Sequence, residues 1–149
     1  MTTTAGWNFM PFQGQTQPEP VTDEDVKEGQ DELDAQDELV DYKDKGTTVE
    51  LVGKDDVDGT ECYKLKVIFK SGKSEYVFID PKSFFTIRQI AKQKANGKEM
   101  EVTTNFSNYQ KMPEGILVPM SITLPFGEMN ITKVEMNKPV DEAIFKPAK

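Results

Sequence analysis

At 149 residues, 36% hydrophobic and 30% charged, the chain is long enough to form one domain and bury a core without disulfide or metal support. Its net charge of −8 is unevenly divided: 16 acids against 4 bases between Glu19 and Asp58 give −12, and 10 acids against 14 bases from Gly59 onward give +4. The acidic front repels phosphates and so argues against nucleic acid; no apolar run approaches the roughly 20 residues of a membrane helix; and one cysteine with no histidine leaves no intrachain disulfide, no ordinary zinc or transition-metal set and no Ser-His or Cys-His nucleophile pair.

No signal-peptide pattern is visible after Met1, so the reading is either a cytosolic protein or a trimmed exported one. Residues 1–20 mix Gly6, Pro11, Gly14, Pro18 and Pro20 with Trp7, Phe9, Met10 and Phe12. The turn formers deny a helix, and the aromatics need cover, which predicts an extended arm or a single strand packed on the body. Residues 21–46 are acidic and read as helical. Thr22 with Asp25 resembles a capping box, Val26, Leu33, Leu39, Val40 and Tyr42 supply a narrow apolar stripe, Gly29 interrupts, and Gly46 is a natural stop. One broken helix or two short ones are expected, with the charges on a solvated face.

From residue 47 to 149 the pattern becomes that of an antiparallel meander. Seven strand-like runs are expected at Thr47–Lys54, Glu61–Lys70, Lys73–Asp80, Phe84–Gln93, Lys98–Tyr109, Ile116–Leu124 and Glu128–Asn137. Between them stand Asp58-Gly59, Ser71-Gly72, Pro81, Asn96-Gly97, Pro113-Glu114-Gly115 and Phe126-Gly127. The second run alternates most clearly: Tyr63, Leu65, Val67 and Phe69 fall on one face, Cys62, Lys64, Lys66, Ile68 and Lys70 on the other. Either Tyr76 and Phe78 or Val77 and Ile79 extend the apolar face from the third run, and Phe106 joins it with Met100 and Val102 from the fifth. The fold class is therefore α+β, mainly β. A curved seven-stranded antiparallel sheet or incomplete barrel is expected, with one or two short helices near residues 21–45 packing over it. The closing Asp141–Pro147 reads as a short turn that tucks Phe145 against the sheet end.

Several chemical motifs fail on inspection. Gly72-Lys73-Ser74 resembles the end of a phosphate-binding loop, but Val67 stands where the first glycine belongs and strands flank both sides. Asp55, Asp56, Asp58 and Gly59 hint at a calcium loop, yet aligning the glycine puts Lys54 and Leu65 at the first and last ligand positions, so a polar hairpin turn is the better reading. Cys62 shares the lysine-bearing face, which favours a thiolate slightly, and a bland free thiol is the plainer reading. Asn105-Phe106-Ser107 and Asn130-Ile131-Thr132 fit the glycosylation pattern, which matters only in a eukaryotic secretory context. Arg88 is the only arginine: it either projects to solvent or is an interior cation that holds an acyl carbonyl or a strand-end carboxylate. No catalytic residue, metal site or cofactor is expected.

Taken together, Leu39-Val40-Asp41-Tyr42-Lys43 with Gly46, Val49–Gly53, Val57-Asp58-Gly59, Cys62–Val67, Tyr76–Asp80, Val140-Asp141 and Phe145-Lys146-Pro147 resemble the outer-membrane lipoprotein-sorting (Lol carrier-like) family, in its Bacteroidetes form and without its N-terminal portion. Trp7 and Pro11-Phe12 resemble a mid-domain element of that family. The resemblance implies an incomplete barrel with helices over its mouth, a periplasmic or outer-membrane setting, and carriage of lipoproteins by their acyl chains, with other envelope proteins as further partners. Under that reading Tyr63, Leu65, Val67, Phe69, Tyr76, Phe78, Arg88 and Phe106 are the candidate lipid-binding residues. The plainer alternative makes the same apolar face ordinary core, in a structural or accessory domain that docks through the free edge of its first strand. An enzyme is the weakest reading, since no nucleophile–base pair is present.

Overall fold

In the computed structural model, residues 4–11, 14–33, 37–95 and 98–145 are described. They form two compact units, Asp41–Met136 and a smaller one made of Met1–Val40 with Asn137–Lys149.

In the smaller unit the arm is two short paired strands rather than a single one. β1 (Trp7–Asn8) pairs antiparallel with β2 (Glu19–Pro20), placing Trp7 opposite Pro20. The intervening residues turn back on local hydrogen bonds: Gly14 N donates to Pro11 O, and Met10 N donates to Gln15 Oε1 at 2.6 Å. Gly14 takes φ +87°, a backbone that glycine adopts without a Cβ penalty. Helix α1 (Asp23–Glu28) starts where the sequence places it. The Thr22 side chain accepts from Asp25 N, and the Asp25 carboxylate accepts from Thr22 N, a complete capping box. At Gly29 the helix passes into a 3-10 turn, Gly29–Leu33, and Val26 is its buried residue. Phe12 and residues 34–36, on which part of the arm and helix readings fell, lie outside the described residues.

The expected second helical stretch, with Leu39 and Tyr42 on one face, is absent: residues 38–46 form consecutive turns. Asp41 sits at φ +51°, Asp44 N and Lys45 N both donate to its carbonyl, and Thr47 N closes onto Tyr42 O. A left-handed residue inside the stretch breaks helix propagation, and aspartate, which tolerates that backbone, favours turns over helix interiors. The C-terminal 3-10 turn Glu142–Phe145 is present, and Phe145 is 57% exposed. A single tight turn has few side chains with which to cover a ring.

The larger unit is one antiparallel sheet of seven strands in sequential order: β3 (Thr48–Val57), β4 (Thr60–Ile68), β5 (Ser74–Ile79), β6 (Thr86–Ala95), β7 (Lys98–Lys111), β8 (Leu117–Leu124) and β9 (Gly127–Asn130). The sheet does not close, since β3 and β9 are its two edges. The turn chemistry explains the meander. Asp58 and Gly59, at φ +51° and +87°, make the left-handed two-residue turn that matches strand twist. Gly72 and Gly115, both at φ +90°, close the three-residue turns. Asn96-Gly97 lies outside the described residues. β3 runs three residues beyond the expected stretch by absorbing a bulge between Leu51 and Gly53. β9 ends at Asn130 instead of Asn137, with one more bond from Ile131 N to Met120 O. As an edge strand it is held by ladder bonds on one side only, and residues 131–136 leave the ladder.

Candidate functional site

Residues paired across an antiparallel ladder share a face, so the register assigns every candidate that lies on a strand. On β4, Tyr63, Leu65 and Val67 stand opposite Ile79, Val77 and Glu75 of β5. Val77 and Glu75 stand opposite Gln89 and Ala91 of β6, and those face Thr104 and Val102 of β7. Phe106 continues this row, opposite Ile122 of β8. The first face therefore gathers Tyr63, Leu65, Val67 and Phe106, with Val77 and Ile79 as the β5 members. Val67 and Val77 are fully buried, while Tyr63, Leu65 and Phe106 are half-buried. Glu75 is buried among these apolar side chains, and its Oε1 accepts a 2.7 Å hydrogen bond from Gln89 Nε2.

Tyr76 and Phe78 lie on the second face, away from the β4 apolar row, because Phe78 pairs with Lys64 and Tyr76 with Lys66. Arg88 is there too, opposite Phe78 on one side and Asn105 on the other. The eight candidates are thus not one surface. Four of them share the first face, three share the second, and Phe69 lies in the β4–β5 turn after the strand has ended, its N–H donating to Lys73 O. In a strand of the pattern Glu75-Tyr76-Val77-Phe78-Ile79 both parities are apolar from Tyr76 on, so only the pairing register separates them.

The second face carries a compact cluster that alternation alone did not reveal. Val57, Cys62 and Phe78 are buried together, with Tyr76, Ile87 and Ile90 packed against them. Lys64 spans this surface: its Nζ lies 5.0 Å and 5.3 Å from the Tyr76 and Phe78 ring centroids and 2.8 Å from Asp55 Oδ2. Arg88 is neither solvent-directed nor free. Its Nε donates to Asn105 Oδ1 at 2.6 Å and its Nη2 to Asp58 Oδ2 at 2.9 Å. Of the two readings of Arg88, the carboxylate-holding one describes these contacts, with the carboxylate supplied by the β3–β4 turn.

Burial pushes the Cys62 thiol pKa up, and the carboxylates of Asp80 and Asp56 push the same way against the Arg88 charge. The sulfur is therefore a protonated donor, 3.4 Å from Thr60 O, and not a thiolate. Asp80 is held below the usual carboxylate range, first by the Ser83 hydroxyl at 2.6 Å and then by the Lys82 N–H. Those bonds fix the β5–β6 loop, in which Phe84 adopts φ +59° and stays exposed. Among the described residues no three His, Cys, Asp or Glu side chains are grouped to hold a metal ion, and no helix is long and apolar enough to cross a membrane.

No protein-family model and no curated protein matches the chain. A solved structure does: a domain assigned to outer membrane lipoprotein sorting, from Vibrio parahaemolyticus, superposes with a TM-score of 0.55 at 13% identity. The match covers 95% of this chain and 63% of that one, so the chain spans less than two thirds of the domain it resembles. At that identity the likeness is one of fold.

Proposed function

We propose that this chain is a non-enzymatic binding module of the cell envelope that takes up acyl chains or lipoproteins and contributes to outer-membrane lipoprotein sorting. The observation that carries the reading is the open seven-stranded meander with apolar side chains gathered on its first face, Tyr63, Leu65 and Val67 of β4, Val77 of β5 and Phe106 of β7, in a fold similar to a lipoprotein-sorting domain. Aliphatic chains bind by burial, about 0.8 kcal/mol per methylene, and need no catalytic group. The same reading treats residues 1–20, 21–46 and 47–149 as parts of one carrier-like domain in the periplasm or at the outer membrane. Half-buried Tyr63, Leu65 and Phe106 are the wall positions that a ligand can reach, with Val67 behind them.

Native mass spectrometry of the purified chain, with lipid extraction in parallel, tests this. Co-purified acyl species at one-to-one stoichiometry, lost in Phe106→Glu and retained in a surface Lys111→Glu control, are expected. A ligand-free monomer that also ignores added lipopeptide overturns the proposal. One observation favours a second reading, a structural domain that docks through an edge: β3 is unpaired on its outer side and leaves Leu51 and Val52 more than half exposed.

A further inference from the structure

The β3–β4 hairpin does not continue the plane of the sheet. Its tip residue Asp58 meets Arg88, which belongs to β6, two strands beyond β4 and 30 positions along the chain. Val57, just before the tip, packs with Phe78 of β5, although Val57 pairs with Thr60 and Phe78 with Lys64, four residues further down β4. Both contacts require the hairpin tip to fold back over the second face. The covered side holds Cys62, on β4 of the hairpin itself, at 0% exposure and Phe78 of β5 at 3%.

From this geometry we infer that the β3–β4 tip is a flap, latched by the Arg88–Asp58 ion pair, whose opening uncovers the apolar Val57–Cys62–Phe78 cluster. Each part suits that role. The Asp58-Gly59 turn is tight and left-handed, so the tip moves as a unit. Lys64 to Asp55 and Lys54 to Glu61 tie β3 to β4 within the hairpin, at 2.8 Å and 2.6 Å. The latch itself is asymmetric. Asn105 fixes the Arg88 guanidinium, whose side chain is 22% exposed, while the Asp58 side chain is 82% exposed and reaches it from water. An ion pair with one end in solvent is weak and screened by salt, so burial of Val57 supplies most of the closure and the pair adds a small, salt-dependent part that sets the open population. The inference does not rest on the acyl-binding reading. The flap opens or stays shut whether or not a lipid is bound.

Cys62, the only cysteine, reports the opening directly, because a thiol reagent reaches it only when the tip lifts. The intact chain is treated with a disulfide dye under native conditions, and the rate of Cys62 modification is followed in parent and Asp58→Asn. The expected result is a rate about two- to five-fold faster in Asp58→Asn, the change in open population that losing an exposed ion pair produces. The urea midpoint should be unchanged. Raising salt should accelerate the parent and leave Asp58→Asn unaffected. The flap is refuted if the two proteins react at the same rate, or if the parent rate equals the global unfolding rate at every urea concentration.

Discussion

Replacing Val67 by alanine tests whether the first face is packed at β4, behind the half-buried Tyr63, Leu65 and Phe106. Val67 has no exposed surface and stands between Val49 of β3 and Glu75 of β5. The change deletes two carbons, worth about 1.6 kcal/mol at ~0.8 kcal/mol per buried methylene. It also leaves a hole of roughly 40 Å³, worth about 1 kcal/mol more at ~24 cal/mol per Å³ of residual cavity. The expected destabilisation is therefore about 2–3 kcal/mol, which at a urea slope of ~1–3 kcal/mol per molar moves the midpoint down by roughly 1 M or more. Leu51→Ala is the internal control. It sits on the same β3–β4 ladder but is 61% exposed, and it should stay within about 0.5 kcal/mol of the parent. Equilibrium urea unfolding followed by the sheet's far-ultraviolet circular dichroism reads both. If Val67→Ala costs no more than Leu51→Ala, the first face is not tightly packed at β4 and the burial argument fails.

Three further outcomes follow from the local chemistry. Thr22→Ala removes the acceptor for Asp25 N and should lower the stability of α1 by about 0.5–2 kcal/mol, seen as lost amide-exchange protection over residues 23–28. Gly59→Ala forces a Cβ onto a φ of +87° with open space around it, so the cost is backbone strain of about 1 kcal/mol, read as a lowered thermal midpoint. Asp80 has a depressed folded-state pKa, so its contribution is fully present above the unfolded carboxylate value and is lost as pH falls through the folded one. Below about pH 4, the value of an ordinary aspartate, Asp80→Asn should therefore flatten the decline in stability relative to the parent, measured by urea titration at each pH.

The sheet was readable because its signals are local. Asp58-Gly59, Ser71-Gly72 and Pro113-Glu114-Gly115 each fix a turn, and period-two alternation fills the strands between them. In the stretch 38–46 Leu39 and Tyr42 carry helical spacing, while the left-handed backbone at Asp41 that defeats a helix leaves no mark in the hydrophobic pattern.

The candidate site was less legible, because it depends on long-range pairing. Whether Val77 or Phe78 shares a face with Val67 is decided by the β4–β5 register, and a shift of one residue exchanges them. The Arg88–Asp58 contact joins positions 30 apart through the curl of the hairpin, which no periodicity encodes. The consequence for function is specific. With Tyr76, Phe78 and Arg88 on one face and Tyr63, Leu65, Val67 and Phe106 on the other, substitutions in the two groups should act independently if only the first face binds an apolar ligand. A Phe106→Glu effect on lipid occupancy that Phe78→Leu leaves untouched would assign the ligand to the first face. Equal losses from both would mean that the two faces are coupled through the β5 backbone that joins them.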